Sequence, residues 1–339
     1  MPCCFASAPL ADVATRDATL WPWASASAIN RPIGDGAVFV DDTNIRAIAW
    51  GFNGPTNRWT TAVALFDATN PLVHITQFSQ CSQGATFTAL DLKIAIGVTG
   101  SDPQTCPRDG FLCVLSDDGY AYGFHRFVRT DNTSATGAYH SLYSHDHIIT
   151  GNGYPTVPGY QGKGHWISGF NLAAGIIRKW EASAIAAGTL PYMRHTLMCS
   201  VPQTLAAAPD GSGQGSTYRW PASFSDGSFD STYKGTIKLG TLLAIPPTFD
   251  IEAQSWNEPS KVLARTLQKY GCYVTATGGG NPVLFIEGGS VASPFTSMST
   301  NINAIRDQLR MVSNNGPAAI GGGGSYPSAL WPVPVPTLP

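Results

Sequence analysis

Hydrophobic and polar positions alternate with a period of two along several short stretches of this chain. Residues 90–96 show the alternation of a half-buried strand, whose successive side chains point to opposite faces of a sheet. Other apolar runs of strand length are bounded by turn-forming residues. Further strands are predicted over residues 37–40, 47–50, 60–66, 72–78, 194–201, 237–245, 272–277 and 282–288.

The strongest local signal is a β-hairpin over residues 111–128. Alternating apolar residues lead into Asp118-Gly119 and continue with the same alternation after it. Asp-Gly favours the two-residue turn that joins paired antiparallel strands. The pattern therefore predicts two strands that pair with each other.

Helical periodicity is confined to three stretches. Residues 171–188 place apolar side chains near one helical face and end at a glycine. Residues 257–270 form the clearest helix, with Asn257 suited to its N-cap and Pro259 to its first turn. A third helix is predicted from about residue 300 to residue 315.

Many short strands with turn signals, and too few helices for βα alternation, predict a mainly β fold. We expect a β-sandwich or jelly-roll-like body with about three packed helices, in a single domain over residues 31–316. Residues 1–30, which include Trp21 and Trp23, are predicted to form a packing arm. Residues 317–339 are predicted to be a flexible glycine hinge and a proline-rich tail.

The composition narrows the classes of partner. Only 12% of the 339 residues are charged, about half of the ~25% usual in soluble domains. The net charge of -2, without a basic run, argues against nucleic acid or an anionic membrane as partner. No apolar run has the length of a membrane span.

The balance of few charges, 36 glycines and 11% aromatic residues is typical of surfaces outside the cell. The chain nevertheless begins with no basic and apolar export signal. Phage structural proteins meet both conditions, so a virion location is favoured over a secreted enzyme. In this interpretation the Trp21/Trp23 arm and the WPVPVP tail dock onto other virion subunits or another copy of the chain.

Seven cysteines are too few for a disulfide scaffold and leave at least one thiol free. A single bridge, Cys81–Cys106 or Cys106–Cys113, is one interpretation. The other is that these cysteines are buried small hydrophobic residues in a reducing compartment. Cys3-Cys4 lacks the spacing of a zinc knuckle.

The segment from residue 140 to residue 180 contains four of the seven histidines in glycine-rich, aromatic surroundings. In an extended chain, His145 and His147 lie on one side and Asp146 on the other. With His165 or His140 as third donor, they would form a divalent metal site, whose ligand set is His145, His147 and His165. Ordinary hydrogen-bonding histidines are the competing interpretation.

The same segment suits proton transfer. His145 or His165, with Asp146, Tyr143 or Tyr160, could abstract the C5 proton of a uronic acid, as a polysaccharide lyase does. Such a reaction needs a cation for the substrate carboxylate, and Arg178 or Lys163 could supply it. The residues expected to carry catalysis are His145, His147, His165, Tyr160 and Arg178.

Glycoside hydrolysis would need two facing carboxylates, and no pair has a diagnostic spacing. The candidates are Asp226, Asp230, Glu181, Asp250 and Glu252. The first two suit turns, and Glu181 is expected on an exposed helix face. Motifs for acyl, nucleotide and hydride chemistry are absent from the sequence.

The sequence favours binding without chemistry over catalysis. In this interpretation the chain is a virion protein with a face that binds cell-surface polysaccharide. Flat aromatic rings stack on sugars while polar groups hold the hydroxyls. At least two of the aromatic residues are expected to be exposed. The predicted glycan-binding residues are Trp166, Tyr154, Trp220, Tyr218, Asp226 and Asp230.

Two blocks of sequence resemble a family of uncharacterised secreted bacterial proteins, frequently actinobacterial. They are SGFNLAAGIIRKWEASAIAAGTLPYMRHTL and the later series YRWPASFSDG, GTIKLGTLLAIPPTFDIE and LARTLQKYGCYVTATGG, together with NRPIGDGAVF near the start. The similarity covers most of residues 20–320, with a loose N-terminal half. It implies an extracellular role around cell-wall or polysaccharide material and supplies no catalytic residues. Relatives begin with an export signal, and this chain does not.

Overall fold

A computed structural model gives the fold of the chain. It describes residues 17–54, 60–77, 89–100, 110–156, 165–210, 216–225, 232–278 and 280–326, with the side chains of residues 139–141 left aside. Within these ranges there are fifteen strands and five α-helices. The strands are β1 (Phe39–Val40), β2 (Gly51–Phe52), β3 (Thr61–Leu65), β4 (Leu72–Gln77), β5 (Leu90–Lys93), β6 (Phe111–Leu115), β7 (Ala121–His125), β8 (Val128–Arg129), β9 (Ser134–Gly137), β10 (Tyr139–Ser141), β11 (Leu197–Pro202), β12 (Leu242–Ala244), β13 (Cys272–Gly278), β14 (Val283–Leu284) and β15 (Arg310–Val312). The helices are α1 (Thr43–Arg46), α2 (Lys179–Ala186), α3 (Glu258–Lys269), α4 (Ser293–Ser299) and α5 (Ile302–Arg306).

The strands form three sheets. A seven-stranded mixed sheet has the order β1-β15-β12-β13-β11-β14-β2, and two four-stranded sheets have the orders β10-β7-β6-β3 and β5-β4-β9-β8. The mainly β class is confirmed. The simple two-sheet sandwich or jelly roll is not, and the helices number five rather than about three in the part of the chain that is described.

The sheet β10-β7-β6-β3 is the central layer of the molecule. Along β6, Phe111, Cys113 and Leu115 contribute to the main core, shared with the seven-stranded sheet. The alternate residues Leu112 and Val114 contribute to a second core, shared with the sheet β5-β4-β9-β8. Because successive side chains of a strand point to opposite faces, a strand between two cores is apolar at every position. This layer supports the candidate site.

The predicted hairpin is confirmed. Strands β6 and β7 pair antiparallel, with Leu112 opposite Phe124 and Leu115 opposite Ala121. Gly119 has a φ of 85° at the turn, a conformation that L side chains rarely adopt.

Helix α3 is also confirmed, with the Asn257 side chain accepting a hydrogen bond from Ser260 N at its start. The other two helix predictions are only partly correct. Helix α2 begins after Arg178, because Gly175 has a φ of 68° and Ile177 pairs with Ile286. The third predicted helix, residues 300–315, is replaced by the short helix α5 and the strand β15, since pairing of β15 with β1 and β12 overrides the helical periodicity.

The C-terminal glycine run is a packed element rather than a hinge. Gly34 N donates to Gly321 O and Gly36 N donates to Gly323 O, each over 3.0 Å. Residues 321–324 all have positive φ, which only glycine adopts without strain. Residues 317–326 therefore belong to the body, and the proline-rich tail beyond residue 326 lies outside the described residues.

The described part of the predicted N-terminal arm is likewise built into the body. Trp21 and Trp23 are buried, and Trp23 N donates to Ile148 O over 2.6 Å. The Asn30 side chain donates to the carbonyls of Pro22, Trp23 and Ala24. These tryptophans cannot act as docking strips for other subunits in this conformation, because their rings are already enclosed. Over the described ranges, no helix has the length and apolar character needed to cross a membrane.

The close approach of the two glycine segments predicts a stability effect. A Cβ at Gly34 would lie 2.0 Å from Gly323 O, so we expect Gly34→Ala to lower the free energy of unfolding, by about 1–3 kcal/mol as for other overpacked sites. Urea unfolding measures it. Gly316→Ala, where no atom lies within 4 Å of an added Cβ, is the control. Equal stability of the two variants would contradict this account of the chain closure.

Candidate functional site

A 3₁₀ turn, Ser144–Asp146, begins the irregular segment that follows β10 and carries two of the predicted site residues. Tyr143 N donates to Asp146 Oδ2 over 3.0 Å, which closes the turn. With three residues per turn instead of two, the backbone brings the side chains of His145 and Asp146 together. This local geometry differs from the extended segment expected from the sequence.

Asp146 is the centre of the site. Its side chain is 0% exposed, and Oδ1 accepts hydrogen bonds from His165 Nε2 and Asn171 Nδ2, both over 2.8 Å. With Tyr143 N on the other oxygen, the carboxylate has three donors. A buried carboxylate is tolerated only with such compensation.

Asn171 links this carboxylate to the central sheet. Its side chain donates to Ala121 O on β7 over 3.0 Å and accepts from Ala173 N over 3.0 Å. The Cys113 thiol on β6 donates to the same Asn171 oxygen over 3.4 Å. Sequence reasoning missed Asn171. Its only signal was its position within the histidine-rich segment of residues 140–180.

His145 completes the cluster. Its Nε2 lies 3.7 Å from Asp146 Oδ1, and its ring stacks on Tyr143 with centroids 5.4 Å apart. One ligand atom each from His145, Asp146 and His165 lie within 4.8 Å of one another. This three-residue set is called the His–Asp–His centre below.

The protonation of the centre follows from its burial. Burial lowers the pKa of His145 to about 4, so that this imidazole is neutral at neutral pH. Burial alone would raise the pKa of Asp146, but the charge and hydrogen bond of His165 outweigh it and lower this pKa. The centre thus combines an ionised carboxylate with at least one neutral imidazole.

His147 lies apart from the centre, which corrects the predicted ligand set His145, His147 and His165. Its Nδ1 accepts from Ile149 N and Thr150 N, and its ring packs edge-on against Tyr120. The 3₁₀ turn ends at Asp146, with His147 as its extended C-cap, so that Asp146 rather than His147 lies beside His145.

Arg178 also lies elsewhere, in a second buried cluster. Its Nε donates to Glu287 Oε2 over 2.8 Å, and its Nη1 donates to Thr19 O over 3.1 Å. A guanidinium paired with Glu287 is not a free cation for a substrate carboxylate at the His–Asp–His centre. Tyr160, Lys163 and the side chain of His140 are outside the described residues.

The second cluster also holds Glu181 and His195. Glu181 is fully buried, although the sequence suggested an exposed helix face. His195 Nε2 lies 3.1 Å from both Glu181 oxygens, and Nδ1 lies 3.1 Å from Thr196 O. An ionised carboxylate and a carbonyl oxygen only accept, so beside an ionised Glu181 these contacts favour the imidazolium form of His195, with a hydrogen on each ring nitrogen. Burial alone would lower the pKa of His195, but Glu181 and the Thr196 carbonyl together raise it.

The aromatic residues predicted to bind glycan are not exposed. Trp166 is 5% exposed and stacks on Phe285 at 4.4 Å, and Tyr154 is buried with its hydroxyl accepting from Ala28 N. Tyr218 and Trp220 are half-buried against the main core. Their rings serve packing, which contradicts the expectation of at least two exposed platforms. Asp226 and Asp230 are outside the described residues.

The remaining candidates have structural roles. Asp250 accepts from Ala253 N in a turn, and exposed Glu252 pairs with Arg265. Cys113, Cys199 and Cys272 are free and buried, so the Cys106–Cys113 bridge is wrong. Cys3, Cys4, Cys81 and Cys106 are outside the described residues.

Comparison with known proteins found no family model, no curated protein and no solved structure that matches the chain. The resemblance to secreted bacterial proteins stays a prediction.

The His195–Glu181 pair predicts a pH dependence of stability. Because the folded-state pKa of His195 is raised, the pair stabilises fully below the unfolded-state value of about 6.5 and loses this contribution as pH rises through the folded-state pKa. Urea unfolding from pH 5 to pH 9 should show a decline above about pH 6.5 that His195→Gln flattens. His74→Gln, at an exposed histidine, is the control. An identical decline in His195→Gln and in the unaltered chain would rule out this pair as its cause.

Proposed function

We propose that the chain is an enzyme that cleaves a cell-surface polysaccharide, with the His–Asp–His centre as its reactive centre. The observation that carries the proposal is the Asp146 carboxylate, which is buried, held by three donors and placed between two imidazoles. Keeping an ionised carboxylate away from water costs free energy. Buried ionised carboxylates are found at sites where the carboxylate orients a histidine for catalysis.

The exposed fractions of the side chains distinguish an outer, solvent-accessible part of the site from a buried inner part. Tyr143 is 42% exposed and covers His145, whereas the side chains of His165 and Asp146 are 0% exposed. A substrate would therefore meet Tyr143 and His145 first. Asp146, His165 and Asn171 are positioning residues behind them. A tyrosine beside a histidine suits proton transfer to or from a sugar ring.

The burial of the aromatic residues favours an enzyme over a binding platform. Trp166 and Tyr154 offer no ring face to a sugar, so stacking on them cannot supply the affinity. A polysaccharide substrate is favoured by the charge-poor composition, with 12% charged residues and a net charge of -2. A net charge of -2 argues against nucleic acid as the substrate.

The proposed setting is a phage particle, because a charge-poor, glycine-rich and aromatic composition is typical of surfaces built outside the cell. A secreted bacterial enzyme is the second candidate, favoured by the family resemblance. Both settings bring the same centre to a polysaccharide outside the cell.

Cleavage of a polysaccharide panel tests the function. Acidic and neutral polysaccharides are incubated with the protein, and reducing ends and the absorbance of unsaturated uronates are followed. We expect Asp146→Asn to slow cleavage about 10²–10⁴-fold, since it removes the charge that orients His165.

The chain offers a matched control for this variant. Asp91 pairs with His74 over 2.8 Å, the same distance as in the Asp146–His165 pair, but on the surface. Asp91→Asn should leave the rate unchanged. The function is wrong if the unaltered protein cleaves nothing in the panel, or if Asp146→Asn cleaves as fast as Asp91→Asn.

A further inference from the structure

We propose that His145, Asp146 and His165 bind one divalent transition-metal ion of the Zn²⁺ type, with two imidazole nitrogens and one carboxylate oxygen as ligands. The inference rests on the proposed function, because it gives a cofactor to the same centre. The set differs from the one expected from the sequence, since Asp146 replaces His147.

The distances between the donor atoms fit such an ion. In zinc sites with bonds of about 2.0–2.1 Å, tetrahedral or octahedral angles place neighbouring ligand atoms about 2.9–3.4 Å apart. Here His165 Nε2 and Asp146 Oδ1 are 2.8 Å apart, and His145 Nε2 and Asp146 Oδ1 are 3.7 Å apart. All three donor atoms, including the two imidazole nitrogens, lie within 4.8 Å of one another.

The types of donor select the class of ion. Imidazole suits zinc and its first-row neighbours, whereas calcium takes six to eight oxygen ligands and magnesium keeps an oxygen shell. The centre offers one carboxylate and two imidazoles. Three protein ligands leave a coordination position open, which is the pattern of catalytic zinc sites rather than structural ones.

The surroundings hold the ligands in place. Asp146 Oδ2 accepts from Tyr143 N, and Asp146 Oδ1 accepts from Asn171 Nδ2. Asn171 is itself fixed by Ala121 O and Ala173 N. Outer partners of this kind orient the first ligands and raise metal affinity. A ligand set that is oriented before the ion arrives loses little freedom on binding.

Zinc binding is measured directly on the full 339-residue chain. The protein is freed of metal with EDTA, dialysed and titrated with ZnCl₂ by calorimetry, and the bound zinc is counted by mass spectrometry. We expect one zinc per chain. Asp146→Asn and His165→Ala should each weaken binding more than the roughly 10–100-fold typical of outer-shell losses.

Two histidine variants outside the centre are the controls. His147→Asn changes a histidine of the same loop, and His74→Gln changes an exposed one. Both should bind zinc as the unaltered chain does. Circular dichroism checks that each variant is folded. If Asp146→Asn or His165→Ala does not fold, His145→Ala is used in its place, because His145 lies at the outer edge of the centre. No uptake by the unaltered chain, or a loss in His74→Gln as large as in Asp146→Asn, would overturn the proposal.

The outcome separates this inference from the proposed function. Zinc bound at the centre with no polysaccharide cleaved would support the metal site and reject the function. Cleavage that persists in EDTA, by a protein that takes up no zinc, would support the function and reject the metal site.

Discussion

The buried carboxylate of Asp146 is the interaction on which the site depends. It receives hydrogen bonds from Tyr143, His165 and Asn171, which lie at both ends of a long irregular stretch of chain. A regular ladder of backbone bonds is absent from the described residues of this stretch, so side-chain bonds must fix its conformation. Removing the carboxylate would leave three donors without their acceptor, next to side chains of His165 and Asp146 that are 0% exposed.

The central sheet explains why the carboxylate can be held so firmly. Strands β6 and β7 are covered on both faces by the two cores, and Asn171 bonds to both strands. The N-terminal residues also fix neighbouring segments by hydrogen bonds. Trp23 N donates to Ile148 O, and Thr19 O accepts from Arg178 Nη1. The loops of the site are thus anchored to the sheet on one side and to the N-terminal segment on the other.

Local chemistry made part of the fold predictable. The Asp118-Gly119 turn and the Asn257 cap are encoded in two to four neighbouring residues, and both elements are present. Strand β15 could not be foreseen, because its pairing with β1 and β12 depends on residues far away in the chain. The glycine run at residues 321–324 looked flexible for the same reason, since the backbone of residues 34–36 supplies its partners.

The site shows the same division. The histidine-rich segment was recognisable from its composition, and His145 and His165 do converge. Because of one 3₁₀ turn, Asp146 rather than His147 lies beside His145. Hydrophobic periodicity cannot predict a turn of only three residues. Trp166 was expected on the surface because its neighbours are polar, but it packs on Phe285, which is distant in sequence. Glycine-rich surroundings therefore indicated a loop correctly without indicating which of its rings face water.

A double-mutant cycle on Asp146 and His165 tests the central claim most directly. The free energy of unfolding is measured for the unaltered chain, Asp146→Ala, His165→Ala and the double variant. The structure places a charge-assisted hydrogen bond of 2.8 Å between these buried groups, for which we predict a coupling free energy of about 1.5–3 kcal/mol. A coupling below about 0.5 kcal/mol, the level at which distant sites are additive, would contradict the account of the carboxylate as the organising interaction of the site.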